Sequence, residues 1–167
     1  RDWIAQAYAT GVAMGSDLPA RPANAKAPGF LVQALKDPSG ANLDRAQVIK
    51  VTLGADGQYK ERIFDVALSG GRAIDPATGK VPAVGNTVDL ATGNYRNSIG
   101  ASSFTVFWRD PEFDASRAAV YYVRVLEIPT ARWSTLLSIK SKLPLSSEVP
   151  ATIQERAWTS PIWYTPK

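Results

Sequence analysis

The chain has 167 residues, 45% of them apolar and 20% charged, which is typical of a single globular domain. Histidine and cysteine are both absent, which excludes disulfides, thiolate metal sites and any catalytic pair or zinc site that this chain would build on imidazole. The net charge of +4 is evenly spread: Lys plus Arg outnumber Asp plus Glu by 11 to 9 in residues 1–100 and by 8 to 6 in residues 101–167. Because Lys and Arg form no cluster, the sequence disfavours nucleic-acid binding.

The first part of the chain predicts a short helix, a strand and a hairpin. DWIAQAYATGVAMG favours a few helical residues that stop before Gly11 and Gly15, and GFLVQALKDP favours a strand that ends in the turn formers of residues 37–40. AQVIKVTL and YKERIFDVAL alternate between apolar and polar residues on either side of GADG. This pattern predicts a β-hairpin, because Asp56 and Gly57 tolerate the positive φ that a tight turn needs.

Residues 69–100 are rich in Gly, Asn, Pro and Thr, and they predict a long loop with one short strand around Val88–Leu90. SFTVFWRD and AAVYYVRVLEI alternate again, so we predict a second hairpin joined by PEFDAS. Residues 134–150 favour one or two helical turns around Leu136–Ile139.

The sequence SPIWYTP predicts a last strand with Ile162 and Tyr164 on one face and Trp163 and Thr165 on the other. Aromatic side chains can anchor such a strand in a sheet, because their burial offsets the entropy lost on ordering. Together the elements predict an all-β fold: a single antiparallel β-sandwich over residues 1–167, Ig-like or similar, with long loops and at most one or two short helices.

Few residue patterns point to chemistry. No Ser–x–x–Lys, GxSxG or phosphate-loop motif is present. Two groups of oxygen ligands are candidates for calcium, although ordinary loop acids explain both: Asp110, Glu112 and Asp114 form one, and Asn86, Asp89 and Asn94 the other. We predict no catalytic residue, metal or cofactor site in this chain, and no membrane span because no apolar run is long enough.

Five Trp and six Tyr raise the possibility of a sugar-binding platform, but most of them lie on alternating strands where burial is the default. Trp133 is the exception, because PTARWS reads as a loop and places this Trp beside Arg132. Trp and Arg are enriched at binding hot spots, so we predict an interaction role for this loop.

Several strings, in this order and spacing, resemble the C-terminal part of a bacterial family of unknown function, the DUF3604 family. They are GVAMGSDL, APGFLVQALKDP, ADGQYKERIFDVAL, VGNTVDLATGNYRNSIGA, AAVYYVRVLEIPTARWS and QERAWTSPIWYTP. The chain departs from the family pattern at Ser16, where Gly is expected, and at Ala131, where Pro is expected.

The resemblance implies a longer and often exported parent, and therefore a periplasmic or extracellular location. Its N-terminal part looks like a histidine-rich, metal-dependent hydrolase of the polymerase-and-histidinol-phosphatase type, which would carry any divalent metal. We therefore expect a non-catalytic accessory domain, a C-terminal fragment whose partner is the parent's own N-terminal domain. Asp17, Arg132 and Trp133 are the predicted contacts. The alternative is a carbohydrate- or ligand-binding sandwich module.

Overall fold

The computed structural model describes residues 3–22, 24–54 and 56–166. These residues contain two short helices and nine strands. The helices are α1 (Trp3–Thr10) and α2 (Trp133–Ser141), and the strands are β1 (Gly29–Leu35), β2 (Leu43–Leu53), β3 (Tyr59–Leu68), β4 (Ser103–Arg109), β5 (Ala119–Glu127), β6 (Thr130–Ala131), β7 (Thr152–Ile153), β8 (Arg156–Trp158) and β9 (Ile162–Tyr164). Neither helix in this described part has the length and apolar character that crossing a membrane requires.

A five-stranded antiparallel sheet is built around the long strands β2 and β5, which pair with each other. β3 pairs with the other edge of β2, while β8 and β9 follow one another along the free edge of β5. Residues 16–18 then pair in parallel with β9, through hydrogen bonds from Leu18 N to Trp163 O (2.7 Å) and from Trp163 N to Ser16 O (3.1 Å).

The core lies between this sheet and a second, two-stranded sheet formed by β1 and β4. Alternate residues of each strand point inward, and the ring of Phe30 on β1 lies 4.7 Å from that of Tyr121 on β5. The buried members of this core are Phe30, Val32, Leu43, Ala46, Val48, Phe104, Ala119, Tyr121 and Tyr164. Aromatic pairs at such distances add to the free energy gained from buried apolar area.

The prediction of an all-β, antiparallel sandwich with at most two short helices is confirmed. The hairpin of β2 and β3 and the strand β1 form as predicted, and Gly40 N donates to Asp37 O at 2.9 Å in the predicted turn. The side chains of β9 also point in the predicted directions: Tyr164 is buried in the core, whereas Trp163 points to the other side of the sheet and is 48% exposed.

The predicted second hairpin is wrong. β4 and β5 have the predicted alternation, but β4 pairs with β1 and β5 pairs with β2, so the two strands lie in different sheets. The connecting residues 110–118 cross from one sheet to the other rather than forming a tight turn. Alternation identifies which residues face the core, and it does not identify the partner strand.

A smaller prediction is also wrong. The stretch Val88–Leu90 forms no strand, because hydrogen bonds within the loop, such as Asp89 N to Asn94 O (2.8 Å), engage its backbone instead. In the turn of the β2–β3 hairpin, Gly57 has a positive φ of 75°. The carboxylate of Asp56 accepts a hydrogen bond from Gln58 N at 3.1 Å, so its side chain supports the turn.

Gly57→Ala should lower the free energy of unfolding by about 1–2 kcal/mol, which is the cost of a left-handed backbone at a residue with a Cβ. The cost is conformational, since no atom of the described residues lies within 4 Å of the Cβ that would be added. Urea unfolding of the two proteins measures it. Gly57→Asn is the matched control and should cost less, because Asn tolerates this conformation. Equal losses in the two variants would contradict this account.

Candidate functional site

The three predicted contact residues do not form one site. Asp17 is exposed and forms a β-bridge with Trp163, at the end of the sheet where β5 begins. Arg132 and Trp133 follow β6 beyond the other end of β5, where Arg132 N donates to Ala151 O at 3.1 Å. Trp133 is 73% exposed, as predicted, although it is the first residue of α2 rather than part of a loop.

An apolar groove of about 350 Å³ lies between α2 and the segment that follows it. It is lined by Trp133, Leu137, Leu143, Pro144, Leu145 and Val149, together with several serines. Among the described side chains, Ser134 Oγ is the one buried polar atom without a hydrogen-bond partner, and Ser134 also lines this groove. Leu137 and Leu143 are 52% and 65% exposed, and contiguous exposed apolar side chains are found at surfaces that contact another protein.

The three acids of DPEFD do not converge, because each is held by a different cation. The carboxylate of Asp110 is fully buried and lies 2.7 Å from Lys50 Nζ. Glu112 forms a two-point ion pair with Arg62, and Asp114 lies 3.2 Å from Arg117 Nε.

Loop hydrogen bonds also affect these acids. The hydroxyl and backbone N–H of Ser116 hold the pKa of the Asp114 carboxyl below its usual range. Within the described residues, no group of three or more Asp or Glu side chains is arranged to hold a metal ion.

Lys50, Asp110 and Tyr121 form a buried polar triad where β2 and β5 run side by side. Tyr121 Oη donates to Asp110 Oδ2 at 2.7 Å, and Lys50 Nζ lies at the same distance from that oxygen. Burial, with the hydrogen bond to Asp110 as a second cause, raises the pKa of the Tyr121 phenol well above its usual value. Because the phenol is 1% exposed and its proton is held by Asp110, this geometry suits a structural role better than proton transfer to a substrate.

A second buried charge cluster surrounds Asp44, whose side chain is 1% exposed. Its carboxylate accepts hydrogen bonds from Arg45 Nε (3.0 Å), from Gln154 Nε2 (2.8 Å) and from Arg72 Nη2. Arg72 also donates to the backbone oxygens of Ser69 and Pro82, both at 2.9 Å. The cluster therefore connects β2 to the long loop of residues 69–100 and to the segment between β7 and β8.

The long loop contains two turns of similar sequence and the same hydrogen-bond pattern, DPATGK at 75–80 and DLATGN at 89–94. In each turn the Asp carboxylate accepts from a backbone N–H two residues on and from a Thr hydroxyl three residues on. These bonds hold the pKa of Asp75 and Asp89 below the usual range of a carboxyl. Asn86 Oδ1 likewise accepts from Val88 N, so two of the three members of the second calcium candidate, Asn86 and Asp89, use side-chain oxygens within the loop.

The surface of the five-stranded sheet that points away from the core, called the outer face here, carries the largest set of exposed aromatic residues on a regular element. Its rows, read across the strands, are Trp158–Arg124–Gln47–Asp65, Tyr122–Ile49–Ile63 and Trp163–Val120–Val51–Glu61. Ile49 is 1% exposed but lies outside the core cluster, because its neighbours on the outer face cover it. Sequence reasoning missed this face, although the alternation of SPIWYTP already separates Trp163 from Tyr164.

These features define a class: an all-β, antiparallel sandwich domain in which buried ion pairs connect the strands and the loops. The sequence model of the family described as protein of unknown function (DUF3604) matches residues 1–166, so the chain belongs to this family. This match confirms the resemblance noted in the sequence. A search of curated proteins and a search of solved structures gave no match.

Proposed function

We propose that this chain is a non-catalytic accessory β-sandwich of a larger, metal-dependent hydrolase. The observation that carries the proposal is that the buried charged groups form ion pairs with one another: Asp44 pairs with Arg72, and Asp110 pairs with Lys50. A catalytic acid or base must instead reach a substrate from a cleft. The hydrolase part of the proposal rests on the family resemblance and concerns the parent protein.

The partner that we propose is another domain of the parent chain, and the apolar groove beside α2 is the contact surface that supports this choice. Trp133 lines this groove with most of its surface in solvent, and exposed tryptophans are enriched among the residues that anchor interfaces. Contacts between domains of one chain are commonly small, since linkage keeps the two surfaces close at high effective concentration.

The proposal predicts that the 167-residue chain hydrolyses neither phosphate esters nor carboxylate esters. With Mg²⁺, Mn²⁺ or Zn²⁺ added, p-nitrophenyl phosphate, bis-p-nitrophenyl phosphate and p-nitrophenyl acetate should react at the rate measured with metal and buffer alone. The release of p-nitrophenol measures this rate. Turnover above that background that co-elutes with the protein peak in gel filtration would contradict the proposal.

A further inference from the structure

Two tryptophans are held in line along one edge of β5. Trp158 pairs with Arg124 and Trp163 pairs with Val120, so both indoles project from the outer face, with 58% and 48% of their surface exposed. Arg124 and Val120 are four positions apart on β5, which corresponds to about 13 Å along an antiparallel strand. The phenol of Tyr122 belongs to the row between them and lies one strand further in.

Polar groups stand at both ends of this aromatic line. Next to Trp158, Arg124 donates two hydrogen bonds to Gln47 Oε1 (2.9 and 2.7 Å), and Gln47 Nε2 donates to Asp65 Oδ1 at 2.9 Å. These bonds fix the three planar side chains. Within the described part of the chain, Arg124 Nη1 and Asp65 Oδ2 take no part in them and stay available to a ligand.

At the other end of the line, the exposed carboxylate of Asp17 lies on the strand segment next to Trp163. No hydrogen bond of this carboxylate is present among the described residues, in contrast to the loop acids Asp75, Asp89 and Asp114. Each tryptophan is thus accompanied by an unused polar group, and the pattern repeats at a distance of about 13 Å.

From this arrangement we infer that the outer face binds an extended β-1,4-linked glycan. A pyranose ring has an apolar face of C–H groups that packs on an indole, and hydroxyls at its rim that bond to carboxylates and guanidinium groups. The two aromatic positions lie too far apart for one monosaccharide and suit a chain of several sugars. A β-1,4-linked chain forms a flat ribbon, which matches an open sheet face better than a coiled α-1,4-linked chain does.

The charges of the outer face favour this ligand over the alternatives. The outer face carries charges of both signs: Arg124 and Arg156 are positive, and Asp65, Glu61 and Asp17 are negative. The face therefore has no excess positive charge that would select an anionic polymer. A surface used only to dock another protein domain is depleted of charged groups at its centre. The inference goes beyond the accessory role proposed above and stands independently of it, because a domain without catalysis need not bind sugar.

Isothermal titration of the 167-residue chain with cellohexaose, xylohexaose and chitohexaose tests the inference, with glucose and N-acetylglucosamine as single-sugar probes. We expect saturable binding of at least one hexasaccharide and much weaker binding of the single sugars. Trp158→Ala and Trp163→Ala should each raise Kd about tenfold, which is the size expected for losing one aromatic contact. Asp17→Asn should raise it by a smaller factor.

Phe107→Ala is the matched control, because it removes an aromatic side chain that is 62% exposed on β4, in the other sheet, and should leave Kd unchanged. Circular dichroism should show that all variants keep the wild-type fold. The inference is overturned if no hexasaccharide binds, if binding survives the double variant Trp158→Ala/Trp163→Ala, or if Phe107→Ala removes it. It is also overturned if light scattering shows that Trp158 and Trp163 support self-association while no hexasaccharide binds, since the face is then a protein interface.

Discussion

Asp44→Asn should lower the free energy of unfolding by about 3–5 kcal/mol, because removing one partner of a buried ion pair leaves the other charge uncompensated. The side chain of Arg72 is 11% exposed and that of Arg45 is 17% exposed, so water cannot readily replace the lost carboxylate. The midpoint of urea unfolding, with the slope checked for a constant denatured state, measures the effect.

The matched control is Asp75→Asn, which replaces an exposed carboxylate in a loop turn and should give a much smaller change. Arg72→Met should resemble Asp44→Asn, since it breaks the same pair from the cationic side and leaves Asp44 buried with one partner fewer. If Asp44→Asn and Asp75→Asn have equal and small effects, the cluster does not hold the long loop and this account of the fold is wrong.

Lys50→Met should also cost about 3–5 kcal/mol, by leaving the carboxylate of Asp110 buried without its cation. The side chains of Lys50 and Asp110 are 5% and 0% exposed, and they lie 2.7 Å apart. Tyr121 Oη and Glu112 N still donate to Asp110 in the variant, but neutral donors compensate a buried charge less well than an ammonium group. Thermal and urea unfolding measure the loss.

A double-mutant cycle separates the ion pair from simple packing. Asp110→Asn alone should also destabilise the protein, because it leaves Lys50 charged and buried. The double variant Lys50→Met/Asp110→Asn should cost clearly less than the two single losses added together, since neither charge is then left without a partner. Strict additivity would show that the two side chains do not interact and would contradict the role given to the triad.

The sequence was sufficient for the features that depend on neighbouring residues. The hairpin of β2 and β3 follows from alternation on both sides of a Gly-containing turn, and the buried position of Tyr164 follows from its phase within SPIWYTP. The exposure of Trp133 also followed from its local context. Each of these depends on residues only a few positions apart, where side-chain period and turn chemistry determine the outcome.

The features that depend on distant residues could not be predicted in this way. β4 pairs with β1 rather than with β5, and alternation gives both pairings the same pattern. The hydrogen-bond partners of Asp44 include Gln154, which is 110 residues away in the sequence. No periodic pattern in the sequence predicts such a contact. The outer face was missed because aromatic residues on strands are buried by default, and only the pairing of β5 with β8 and β9 shows that two of them project away from the core.

The parallel pairing of residues 16–18 with β9 determines when this molecule can finish folding. When the chain has been synthesised only through Trp158, β9 is still missing. The edge of β5 along residues 119–121 is then unpaired, and residues 16–18 have no neighbouring strand. The unpaired backbone N–H and C=O groups of an open strand edge can pair with the strands of other nascent chains. The closure joins positions 17 and 163, so this parallel pair is among the most non-local contacts of the sheet and cannot form before β9 has been synthesised.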